Sequence, residues 1–225
     1  MDLIERRKLW FSRADKFEDP LEGTLTDAEI AQFRSLETLG QFQDPKSHPY
    51  SEISNMMRGT IFANCWRQGA HESMAMWDIY GKGSGVVAIK STVGLLKEVV
   101  ASFDYPVFIS EVKYVDWNQV SWGGRNALQV FTRKDLSYSH EAEVRAIIWW
   151  MAKSPGRSSF EMPPGNDITK IPSGIEVDID PSRLITQVMI GPREQARICN
   201  LVQAIMKRYG LPQEIKASDR LKGRA

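Results

Sequence analysis

Four groups of residues have types and spacing that could do chemistry. In Tyr138–Trp150 (YSHEAEVRAIIWW), a strand would put Glu141, Glu143 and Arg145 on one face, followed by Ile147 and Trp149. The other face would carry His140, Ala142, Val144, Ala146 and Ile148, a set suited to a core. Paired carboxylates on one face raise one another's pKa unless a cation compensates, and Arg145 is placed to be that cation. The same run also fits a helix through Val144, Ile147, Ile148 and Met151, which would make Glu141 and Arg145 an ordinary surface pair. The β-branched and aromatic residues up to Trp150, and the turn signal Ser154-Pro155-Gly156, favour the strand.

A second group lies in Arg13–Gly23 (RADKFEDPLEG), where Asp19 precedes Pro20 and is therefore pushed extended. Phe17 and Leu21 would pin this loop. Asp19 and Glu22 either present carboxylates to a site or only satisfy backbone N–H groups in an Asx-type turn. The third and fourth groups are Asn64-Cys65-Trp66 and Met76–Tyr80. Trp77 and Tyr80 fall on one helical face, as core or as a shelf for a ligand.

Composition bounds what these groups can belong to. The 225 residues are 42% hydrophobic with net charge +1, enough for one large domain, or as the lesser alternative two small ones, and without a global field for nucleic acid or acidic lipid. No apolar run approaches the ~20 residues of a membrane span, and the start lacks the apolar core of a signal peptide. Cys65 and Cys199 are read as free thiols in a reducing compartment, so a cytoplasmic location is expected. Three histidines without CxxC or HExxH spacing make a metal unexpected. Gly81-x-Gly83-x-Gly85 follows a helix and precedes a strand, the wrong context for a dinucleotide fingerprint.

The positioning elements follow from periodicity and capping. Strands are expected at Leu9–Ser12, Thr60–Trp66, Val86–Lys90, Val107–Val115, Gly174–Ile179 and Leu184–Ile190, with Val86–Lys90 central in its sheet and Ile215 in a short edge strand. Thr26 and Glu29 form a capping box that opens a helix ending at Gly40. Further helices are expected over Glu72–Tyr80, Thr92–Phe103 and from Gly191 to Tyr209, and another starting in Phe131–Leu136. Gln41–Ser51 reads as the flexible stretch, and Lys153–Lys170 as a mobile loop or active-site lid. The sum is α+β: a single domain over 1–217 with a mixed, largely antiparallel twisted sheet of about seven strands flanked by about four helices. Residues 218–225 form a basic tail expected to fray.

Taken in order, these motifs resemble a bacterial family catalogued as domain of unknown function twenty-nine seventy-one. Its early Phe-Asn-Asp-Pro-Phe-Glu loop is matched by Phe17–Glu22, its Met-Trp-x-x-Tyr segment by Met76–Tyr80, and its Glu-x-Glu-x-Arg segment by Glu141, Glu143 and Arg145. The resemblance covers about residues 8–210, with Glu18 in place of Asn and Leu21 in place of Phe. Family members carry a Tyr-rich strand and a helix ahead of the Leu-Trp-Phe-Ser segment, where this chain has eight residues.

The family's layout is in turn similar to that of ADP-ribosyltransferases. That likeness implies an NAD-dependent transferase or NAD glycohydrolase, in toxin or phage-defence contexts, with NAD as substrate and a nucleotide or protein acceptor as partner. Glu143 would stabilise charge developing on the ribose and Glu141 would orient the acceptor. Arg13 or Arg145 would bind phosphate, Trp77 or Tyr80 would pack on the nicotinamide ring, and Asp19 and Glu22 would line the ligand. The alternative is a non-enzymatic module that binds a ligand or protein through the same residues. A third reading, nucleic-acid processing, rests only on Arg6-Arg7-Lys8 and the basic tail.

Overall fold

The computed structural model describes residues 2–38, 50–81, 85–119, 127–150, 167–193 and 195–219. In chain order the first elements are α1 (Asp2–Glu5), β1 (Lys8–Arg13), α2 (Asp27–Thr38), α3 (Tyr50–Thr60), β2 (Ile61–Arg67), α4 (Met74–Gly81), β3 (Val87–Lys90) and α5 (Val93–Val100). There follow β4 (Val107–Glu111), β5 (Lys113–Val115), β6 (Arg133–Asp135), β7 (Glu143–Trp149), β8 (Gly174–Asp178), α6 (Pro181–Leu184), β9 (Gln187–Ile190), α7 (Gln195–Arg208) and β10 (Glu214–Ala217). The fold is α+β, as expected, with the described strands shared among three sheets. The largest has order β4-β7-β2-β1-β8, and its β4–β7, β7–β2 and β2–β1 pairs are antiparallel. Two smaller sheets have order β10-β9-β3 and β5-β6.

The chain divides into two compact units. One comprises Trp10–Gln68 and Asp104–Ile175, the other Met1–Leu9, Gly69–Phe103 and Glu176–Ala225. In the first unit β7 is paired on both sides, to β2 from Ile61↔Trp149 to Arg67↔Glu143 and to β4 from Val107↔Ile148 to Glu111↔Val144. Residues Glu143–Ile148 are all buried, and Ile147 packs with Ala14, Ile61, Ala63, Leu128, Val130 and Phe131. In the second unit α7 lays Ile198, Val202 and Met206 against Ile185, Val188, Ile190 and Leu211. Those three are spaced i, i+4, i+8, the stripe of an amphipathic helix.

Several elements differ from expectation. The strand expected over Tyr138–Trp150 begins only at Glu143, because Leu136–Glu141 is a 3₁₀ turn closed by Ala142 in the left-handed region (φ 43°). The helix expected to start in Phe131–Leu136 is instead β6, flanked by the 3₁₀ segments Ala127–Phe131 and Leu136–Glu141. Val107–Val115 alternates as one strand but breaks at Val112. Val112 donates to Glu143 O (2.9 Å), and Lys113 then donates to Thr132 O (2.8 Å), so the chain leaves β7 for β6.

Elsewhere, β3 is an edge strand rather than a central one, and Val87 on it is exposed. Leu184–Ile190 divides into the end of α6 and β9. Helix α3 was not foreseen; it directly precedes β2, and its Gly59 lies against Ile168, where an added Cβ would come within 3.0 Å. Gln41–Ser51 lies outside the described residues except for its last two, which open α3. The expected lid lies outside them through residue 166, as do Gly83 and the tail from 220.

Candidate functional site

Strand geometry brings Glu143 and Arg145, two residues apart, onto one face of β7. Arg145 is 1% exposed and its guanidinium makes four hydrogen bonds among the described residues. Nε donates to Glu143 Oε1 (2.9 Å) and Nη2 to Glu143 Oε2 (2.8 Å), a bidentate fork. Nη2 also reaches Glu22 Oε2 (2.5 Å), Nη1 donates to Phe131 O (2.9 Å), and the group lies 5.4 Å from the Phe17 ring centroid. The loop bearing Glu22 is shaped by Asp19, whose Oδ1 accepts from Leu21 N–H (2.9 Å), and by Gly23 at φ 74°. A Cβ on Gly23 would sit 2.4 Å from the Phe131 ring, so only glycine lets the loop lie this close. The Asx-turn reading therefore describes Asp19, while Glu22 is the carboxylate this loop delivers.

A second cation joins from β6. Lys134 Nζ lies 2.6 Å from Glu141 Oε2, 2.9 Å from Glu22 Oε1 and 3.7 Å from Glu143 Oε2, and 4.7 Å from the Tyr138 ring centroid. Glu141 thus reaches the cluster from the end of the 3₁₀ turn and not from the strand face. Ala142, at a backbone conformation costly for an L-residue, makes the corner between Glu141 and Glu143. The Glu143 N–H donates to the Tyr114 hydroxyl (2.8 Å), which fixes the start of β7 to β5. Glu141 Oε1 is the one carboxylate oxygen of the cluster with no hydrogen bond or ion pair among the described residues.

Burial and charge compete at each group. Burial pushes the Glu143 carboxyl up, but the Arg145 fork and the charges of Arg145 and Lys134 outweigh it, holding Glu143 below the usual carboxylate range. Burial would depress Lys134; Glu141, Glu22 and Glu143 reverse that and raise it. Tyr114 is raised by burial and by the charges of Glu143 and Glu141. The cluster holds three carboxylates (Glu22, Glu141, Glu143) against two cations (Lys134, Arg145), a residual charge of −1 with all five ionised.

The other expected site residues lie elsewhere. Arg13 is buried in its own clamp, Nε and Nη2 on Asp15 (2.7 and 2.9 Å) and Nη1 on the carbonyls of Ile168 (3.0 Å) and Ile171 (2.5 Å). It shares no partner with the cluster. Trp77 and Tyr80 are on α4, in the other unit; Trp77 Nε1 donates to Glu72 Oε2 (3.0 Å) and Tyr80 is exposed. Cys65 and Cys199 are both free thiols. Cys65 is exposed and is paired in register with Arg145.

Sequence reasoning missed Lys134, because a cation in a Thr-Arg-Lys-Asp run reads as solvated surface. It also missed Arg133, which forks onto Glu29 (2.6 and 2.5 Å), the capping-box glutamate of α2. The box itself forms as expected, Thr26 N–H to Glu29 Oε2 (2.8 Å) and Glu29 N–H to Thr26 Oγ1 (3.2 Å). Among the described residues no group of His, Cys, Asp and Glu is arranged to hold a metal ion, and no helix is long and apolar enough to cross a membrane. No family model, no curated protein and no solved structure matches this chain.

Proposed function

We propose that the cluster around Arg145 is the anionic wall of a site that cleaves the nicotinamide–ribose bond of NAD, as an ADP-ribosyltransferase or NAD glycohydrolase. The observation that carries this reading is the excess of one carboxylate over the cations, with Glu141 Oε1 left open. Cleavage of that bond passes through an oxocarbenium-like state, and a fixed negative charge in a preorganised site favours it. In this scheme the C–N electron pair leaves with nicotinamide, and water or an acceptor hydroxyl adds to the ribose carbon and releases a proton. Glu143, immobilised by Arg145, contributes fixed charge; Glu141 accepts the hydrogen bond of the incoming nucleophile through Oε1. The likeness of the motif layout to that of ADP-ribosyltransferases, some of which carry Glu-x-Glu on a late strand, supports the same assignment. Arg13 has no share in it, since its donors are spent on Asp15 and two carbonyls.

The test is nicotinamide release from NAD by the purified protein beside Glu141→Gln and Glu143→Gln. Release by wild type, lost in both variants with their thermal unfolding retained, is expected; equal release by all three would overturn the reading. A second reading, a binding module without turnover, is favoured by one observation: both oxygens of Glu143 already face cations. It expects no release from NAD but a rise in unfolding temperature with a nucleotide or NAD itself, and a flat response removes it.

A further inference from the structure

We propose that Lys134 is the positioning residue of this site, acting through Glu141. Arg145 and Lys134 both touch Glu22 and Glu143, but only Lys134 touches Glu141. Its ammonium holds Oε2 at 2.6 Å and so leaves Oε1 as the open oxygen. Lys134 is itself fixed from several directions: by Glu22 on the opposite loop, by the Tyr138 ring, and by the β5–β6 register that pairs it with Tyr114. Among the described residues the Glu141 carboxylate has no other hydrogen-bond or ion-pair partner, and its backbone ends the 3₁₀ turn one residue before left-handed Ala142. A long, half-buried glutamate with one strong partner takes its orientation from that partner, because without it several rotamers are open. Lys134 is 8% exposed and its ammonium is turned to the carboxylates of the cluster, so its effect on a ligand passes through them, and through Glu141 above all, which has no other cation among the described residues.

The kinetic part of this inference rests on the NAD-cleavage reading; the positioning part does not. For nicotinamide release, Lys134→Met should lower kcat by about a hundredfold, the effect of a misplaced group, while KM stays within about threefold. Lys134→Arg, which keeps the charge, should recover part of kcat. An unchanged kcat in folded Lys134→Met, or a loss confined to KM, overturns the role.

The positioning itself is read on protein carrying 13C-labelled glutamate side chains. In Lys134→Met the Glu141 carboxyl signal should shift, while those of Glu22 and Glu143, retained by Arg145, move less. An unmoved Glu141 signal overturns the proposal whether or not the protein turns over NAD. Absence of nicotinamide release from wild type with a shifted Glu141 signal would overturn the NAD reading alone and uphold the positioning by Lys134.

Discussion

Arg145 shows what a buried charge demands of its neighbours. At 1% exposure its guanidinium has no water to fall back on, so Glu143, Glu22 and the Phe131 carbonyl must all be in place. Arg145→Ala would leave Glu22 and Glu143 with Lys134 as their sole cation among the described residues and is expected to cost about 3–5 kcal/mol, measured by denaturant unfolding. Glu143 adds a pH dependence with a defined sign. Its carboxyl is held below its ordinary 4.5, so the unfolded chain binds the proton more readily in the interval between the two values. Stability from this group is therefore present above about pH 4.5 and lost as pH falls through the folded value. Glu143→Gln should show a shallower loss of stability on acidification than wild type; identical acid profiles would contradict the assignment. The Glu143–Arg145 pair was legible in the sequence because period-two spacing needs only a strand. Lys134 was not, since nothing local distinguishes a buried lysine from a solvated one.

At the scale of elements, the best-read features are those whose signals are local. The capping box of α2, Thr26 with Glu29, follows from residue types at a fixed offset. The structure adds an N-cap of the same local kind on α5, where Thr92 Oγ1 accepts from Leu95 N–H (3.1 Å). Thr92→Ala should destabilise by about 1 kcal/mol in thermal or denaturant melts. Harder to read are elements made by non-local pairing. β6 is three residues long and exists because it pairs with β5; Tyr138–Glu141 leaves the strand because Ala142 turns the chain. A left-handed alanine has no sequence signature, whereas Gly23, at a comparable φ, does. Ala142→Gly should therefore be neutral or stabilising, by up to about 1 kcal/mol, because glycine relieves the strain at some cost in chain entropy. Gly23→Ala should be destabilising, since its Cβ would meet the Phe131 ring. Opposite outcomes at the two positions, read by the same unfolding assay, are what this geometry requires.

For the whole molecule, the α+β class was legible from the alternation of periodic segments, whereas the bounds of the two units were not. Both units are discontinuous, each built from pieces that alternate along the chain, and no compositional shift marks such boundaries. Net charge of +1 argues that duplex DNA will not bind in a salt-dependent manner, checked by fluorescence anisotropy across a salt series; a steep slope would revive the nucleic-acid reading. A final consequence concerns Arg133 and Lys134. As neighbours on a strand they face opposite sides, one engaging Glu29 and the other Glu22, Glu141 and Glu143. A slip of one residue between β5 and β6 would exchange them, withdrawing the ammonium from three carboxylates and the fork from Glu29 at once. A three-residue strand has too little apolar pattern to fix its own alignment. Here the two cations proofread it, Arg133 against Glu29 and Lys134 against Glu22, each more than a hundred positions away, so that this alignment is verified only when the distant N-terminal segment has arrived.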